Sequence, residues 1–147
     1  MSHLRFIGDL ISAPIENLLD CDWDNVPFQP GAYILLADPG TKFIYPKGQS
    51  SVFYIGQAKG LSGRLNRHRQ EIQSVKNDRK HCLYRPLLEY GAEFGVRFSF
   101  VVCAANQHPR DVEDQLMARF AKRYRSLPVA NGAGAWTRLR EIVDCSL

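Results

Sequence analysis

Four kinds of side chain able to work together on a charged ester stand in this sequence at suggestive places: phenol, guanidinium, imidazole and carboxylate. Tyr33 belongs to Gly31-Ala32-Tyr33 at the start of one apolar run, and Tyr54 to Tyr54-Ile55-Gly56 at the end of the next. Arg64 and His68 follow, four residues apart in a basic stretch with helical spacing. A phenol has an ordinary pKa of about 10, so Tyr33 or Tyr54 can activate water only beside a cation. A guanidinium at Arg64 can grip two non-bridging oxygens of a phosphate and stabilise charge growing there. Glu113 shares a helix face with Leu116, Met117 and Phe120, which turns its carboxylate inward, where an unpaired charge is costly. Each residue also has a plainer reading. Strand tyrosines pack cores, helix arginines face solvent, and histidines on helices often do nothing. Acidic residues such as Asp111 gather in first helical turns because of the dipole. Asn131 before Gly132 is an ordinary turn signal.

In order and spacing these positions resemble the GIY-YIG nuclease family, over roughly residues 30 to 135. The resemblance implies an α+β domain over residues 30–147, with a central, mainly antiparallel three-stranded sheet flanked by helices, and an N-terminal extension over residues 1–29. It implies an endonuclease that hydrolyses DNA phosphodiester bonds with Mg²⁺ or Mn²⁺ and leaves a 5′-phosphate. On that pattern Glu113 holds the metal, Arg64 the phosphate, and Tyr33, Tyr54 and His68 activate or position water. Gly56 lies near the scissile phosphate, and Asn131 orients the pocket. Ala32 stands where the family usually has isoleucine, a change of packing volume only. A binding module that kept the fold without turnover is the rival of another class, and an RNA nuclease would use the same residues.

Charge distribution agrees with a nucleic-acid partner. Residues 59–85 hold eight Lys/Arg against Glu71 and Asp78, whereas residues 1–58 hold three basic against six acidic residues. Lys59, Arg67, Arg69, Lys76, Arg79 and Lys80 are therefore expected to neutralise phosphates, with affinity that falls as salt rises. A solvated helix face is the ordinary alternative.

Periodicity supplies the elements that must position these groups. Ile15–Leu19 reads as a short helix, and Val26–Pro30 as an extended lead because proline restricts the residue before it. Strands are expected over Tyr33–Ala37, Lys42–Tyr45, Val52–Ile55 and Val96–Val102, with a turn at Asp38-Pro39-Gly40 and a loop over Pro46–Ser50. The two motif tyrosines are 21 positions apart, about twice the family's compact spacing, which implies an insertion in the hairpin. Helices are expected over Leu61–Val75 (Leu61, Leu65, Ile72, Val75 inward), over His81–Tyr90 with Gly91 as its stop, and from Pro109. A Gly-rich loop follows over Pro128–Ala135, then a last helix capped by Thr137 and bearing Leu139, Ile142 and Val143.

At 147 residues and 45% hydrophobic the chain suits one domain with a core of its own. Arg5, Asp9, Glu16 and Asp20 interrupt every N-terminal apolar stretch, so neither a signal peptide nor a membrane span is expected. Cys21, Cys82, Cys103 and Cys145 form no CxxC, and a reducing cytoplasm is the simplest expectation. Site selection is left to the hairpin insertion, the N-terminal residues, self-association or a targeting partner.

Overall fold

The computed structural model describes residues 10, 11, 13–77 and 85–132. In chain order the elements are β1 (Glu16–Asn17), β2 (Gly31–Leu36), β3 (Phe43–Tyr45), β4 (Gly48–Ser50), β5 (Val52–Ala58), α1 (Leu61–Asn77), α2 (Pro86–Phe94), β6 (Arg97–Val102) and α3 (Pro109–Tyr124). The main sheet is antiparallel, with strand order β1-β6-β2-β5. Among the described residues it has four strands where three were expected, because Glu16 and Asn17 pair with Phe98 and Arg97.

Every residue of β2 is buried, which is what an apolar strand with neighbours on both edges and helices on both faces requires. Its side chains alternate between two cores. Tyr33, Leu35 and Ala37 join the core formed with α1 and α2, around Leu61, Leu65, Ile72, Leu87 and Leu88. Ala32, Ile34 and Leu36 join the other core, formed with α3 through Val112, Leu116, Met117 and Phe120. A register shift in the β2–β5 ladder sets Leu35 opposite Tyr54 and Leu36 opposite Val52. The residue between them, Phe53, enters the same core that Tyr54 packs against, as expected where a bulge gives one face two successive side chains.

Residues 16–30 pack into this domain. Leu18 and Val26 are buried in the core, and Trp23 stacks on Phe98 with ring centroids 6.4 Å apart. The helix expected over Ile15–Leu19 is instead β1 followed by a single 3₁₀ turn, Leu18–Asp20, because Asn17 bonds the Leu19 amide and starts a turn. The insertion between the motif tyrosines is a small hairpin. Residues 48–50, expected as loop, pair with β3 across the Pro46-Lys47 turn, where Gly48 takes φ 117°. Its tip is tied down: the Lys47 amide donates to the Tyr124 carbonyl at the end of α3.

The second helix runs Pro86–Phe94, past Gly91, and ends at Gly95 with φ 82°. Pro86 sets its start, since proline suits the first turn and restricts Arg85 before it. Arg79, Lys80, Cys82 and the helix expected after Thr137 lie outside the described residues. Among the described residues, no helix is long and apolar enough to cross a membrane.

Tyr45 joins the hairpin to the domain. Its hydroxyl donates to the Val52 carbonyl at 2.7 Å and accepts from the Val129 amide at 3.2 Å. Tyr45→Phe keeps the ring against Phe120 but leaves both backbone groups without this partner. It should destabilise the fold by about 2 kcal/mol in urea denaturation, and an unchanged midpoint would show that the bridge contributes nothing.

Candidate functional site

Strand register places the two tyrosines. Tyr33 pairs with Gly56, and Tyr54 with Leu35. A Cβ on Gly56 would come within 2.5 Å of the Tyr33 hydroxyl and 2.8 Å of the Tyr54 ring. Only glycine lets the two rings meet over the strand, and their centroids lie 6.1 Å apart. The glycine of Tyr54-Ile55-Gly56 is thus required by the tyrosine of the neighbouring motif.

α1 supplies the imidazole. Its buried stripe is Leu61, Leu65, His68, Ile72 and Val75, so His68 sits inside the apolar stripe at 6% exposure. Its Nε2 lies 2.7 Å from the Tyr33 hydroxyl, and its ring also packs on Tyr54, with centroids 6.2 Å apart. Nδ1 is buried and, among the described residues, has no hydrogen-bond partner. The plainer reading had this histidine on the helix surface; it is instead buried, because the helix turns this residue onto the sheet.

Burial and charge set the protonation states. Burial pushes the Tyr33 phenol well above its ordinary pKa, Tyr54 and Glu113 push it further, and Arg64 pulls it partly back through its charge and a hydrogen bond. Tyr54 is raised by burial, then by the Glu113 charge, with Arg64 and a hydrogen bond shared with Tyr33 opposing. His68 is lowered to about 4, first by burial and then by the Arg64 charge. At neutral pH the cluster therefore holds two protonated phenols and a neutral imidazole. The cation acting on both phenols is Arg64, whose own residue is exposed. Lys59, expected to neutralise phosphate, is exposed on the loop after β5.

Glu113 comes from α3, which packs on β5 and β2 on the side away from α1. It is 7% exposed, and its charge nevertheless raises both phenols. A buried carboxylate whose charge reaches this cluster is a single hard-oxygen ligand, which suits a Mg²⁺ that keeps several waters. Among the described residues, no three His, Cys, Asp or Glu side chains converge as a fuller metal cage.

Asn131 occupies the free edge of β5. Its Oδ1 accepts from the Ile55 amide at 3.1 Å and its Nδ2 donates to the Ile55 carbonyl at 2.9 Å, so the side chain pairs like a further strand residue. Beside it the Ala130 amide donates to the Phe53 carbonyl. Asn131 thus holds the segment Tyr54-Ile55-Gly56 by its backbone.

The basic cluster is divided by the helix. Arg67 and Arg69 are two residues apart, about 200° around α1. Arg67 faces the Arg64 side and pairs with Glu71 at 2.8 Å, which also binds Arg85 at 2.8 Å. Arg69 lies on the other side, with its guanidinium 5.6 Å from the Trp23 ring centroid and two hydrogen bonds to Asn66. Lys76 is exposed in the last turn, where a cation suits the helix dipole. Glu71, Arg85 and Trp23 were not singled out in the sequence. The spacing of Arg67 and Glu71 was the available signal for one pair, and nothing local indicated the other two contacts.

No family model, no curated protein and no solved structure matches the chain.

The depressed His68 pKa predicts a pH dependence of stability. The imidazole stays neutral in the folded protein down to about pH 4, while unfolded histidine takes its proton near pH 6.5. Between those values protons favour the unfolded chain. The stability difference between the parent and a His68→Gln variant should therefore shift against the parent by about 3 kcal/mol as pH falls from 7 to 4. Paired urea titrations at pH 7 and pH 4 would read it. A difference that does not change with pH would mean His68 titrates as in water.

Proposed function

We propose that this chain is a GIY-YIG-type endonuclease that hydrolyses DNA phosphodiester bonds with a divalent metal ion. The observation that carries this reading is the buried hydrogen bond between Tyr33 and His68, 2.7 Å long, set beside Tyr54 and within the charge fields of Arg64 and Glu113. The three longer strands of the sheet, β6-β2-β5, agree with the central sheet of that family, with β1 a short addition. Tyr33, Tyr54 and His68 come from two strands and a helix, so sequence proximity does not explain why they meet.

Both protonation states favour a relay over a standing phenolate. Tyr33 stays protonated, and Arg64, a donor only, can give a hydrogen bond to the phenol oxygen and leave its proton directed at His68 Nε2. As the half-buried Tyr54 oxygen takes a proton from attacking water, the Tyr54 proton passes to Tyr33 and the Tyr33 proton to Nε2, and the imidazolium later returns it along the same chain. Substrate arrival assists, because phosphate bound at Arg64 offsets the positive charge that depresses His68. Arg64 then holds the non-bridging oxygens as their charge grows. Glu113 would hold Mg²⁺ or Mn²⁺, whose charge would offset that of the leaving oxygen. Asn131 and Gly56 keep β5 and the paired phenols in register.

Two outcomes are expected from purified protein with Mg²⁺ or Mn²⁺ on duplex, flapped, branched and single-stranded DNA plus RNA. The parent should cut DNA. Glu113→Gln, shown to be folded, should lose most cleavage and keep binding, because it removes a negative charge near phosphate at nearly constant volume. Binding without cleavage by the parent would support the non-catalytic module, and RNA-only cleavage the alternative substrate.

The relay makes a sharper demand. Tyr33→Phe and His68→Gln should each lower kcat by about 10² or more, and the double variant should be no slower than the worse single one, since the two residues act as a unit. Multiplicative losses would separate their roles.

A further inference from the structure

Phe28 is a large aromatic residue left 78% exposed, in Val26-Pro27-Phe28-Gln29-Pro30, where an unconstrained chain would turn such a ring inward. It is held in place from both sides. The carbonyls of Pro27 and Gln29 accept the amides of Ser62 and Leu61, the first two residues of α1. One ring edge rests on Gly60 and Gly63: a Cβ there would come within 2.7 Å and 3.3 Å of the ring. The ring is thus seated on the start of α1 through two residues with no side chain to shield it. This differs from an apolar residue stranded on a mobile loop.

Its neighbours have the sign of a phosphate partner. Gly60, Gly63, Arg64 and Arg67 fall within about 100° of one another around the helix, so the ring stands on the side of the proposed phosphate ligand and away from Arg69. Lys59, Arg64 and Arg67 are all exposed. An aromatic face open to solvent and flanked by cations is the combination by which proteins hold unpaired nucleotides: charge follows the backbone and the ring stacks on a base. In an intact duplex each base face is covered by the next pair, so a ring on the protein surface can stack only on a base that is unpaired, terminal or extruded.

We infer that Phe28 is a stacking platform for an unpaired base of the DNA strand whose phosphate lies at Arg64, so that the preferred substrate carries single-stranded DNA next to the scissile bond. This rests on the nuclease reading of the same site.

The test measures binding, in EDTA so that nothing is cut, to a flapped oligonucleotide carrying 2-aminopurine in the unpaired arm and to an intact duplex of the same sequence. Phe28→Ala and Phe28→Leu should each weaken flap binding about tenfold and abolish the fluorescence change of the stacked base. Phe28→Trp should restore both, with duplex affinity unchanged throughout. Leucine keeps an apolar cover over Gly60 and Gly63, so its loss separates stacking from simple packing. Full flap affinity in Phe28→Leu, or an equal loss on duplex, overturns the inference while the nuclease reading stands. A parent protein that binds none of these DNAs overturns the nuclease reading itself.

Discussion

A tyrosine buried completely in the middle of a central strand must find a partner for its hydroxyl inside the protein. Tyr33 is in that position, on a strand covered on both faces and both edges, and an unmade hydrogen bond there would cost about 1–3 kcal/mol. Much of the site follows from meeting this need. His68 is drawn into an otherwise apolar helix stripe to reach the phenol. Gly56 loses its side chain so that the phenol can lie over it. The burial that enforces the contact also keeps the imidazole neutral and the phenols protonated.

The helix bearing Arg64 and His68 is therefore the element whose placement matters most, and it is held by parts of the chain remote from it in sequence. Residues 27–29 supply backbone acceptors to its first turn, groups that would otherwise require a side-chain cap or water. Trp23 meets Arg69 on one flank, and Arg85 reaches Glu71 on the other. Burial pushes the Glu71 carboxyl up, but the Arg67 hydrogen bond and the Arg85 and Arg67 charges hold it below the usual range. Several cations of the basic run thus serve to anchor α1, and the run is less a single phosphate-binding face than its sequence suggests. At the opposite edge, Asn131 uses its whole amide group to close β5.

Sequence by itself determined the order of the principal strands and helices and the candidate residues. These depend on local rules: an apolar run through Tyr33–Ala37, alternation in Val96–Val102, helical spacing through Leu61–Val75, and proline at the first turn of α3. It also placed Glu113 on an inward helix face by its spacing from Leu116 and Phe120. It misplaced what depends on long-range pairing. β1 exists because β6 offers an edge to Glu16 and Asn17, and β4 because the hairpin folds back against the end of α3. Gly91 resembled a helix stop, but the positive φ that ends a helix falls at Gly95. Tertiary structure alone decided that His68 is buried against Tyr33, that Asn131 bonds backbone, that Arg67 and Arg69 part company, and that Phe28 stays in solvent. Exposure, partner and protonation state belong to the space around a side chain, and that space is filled by residues tens of positions away.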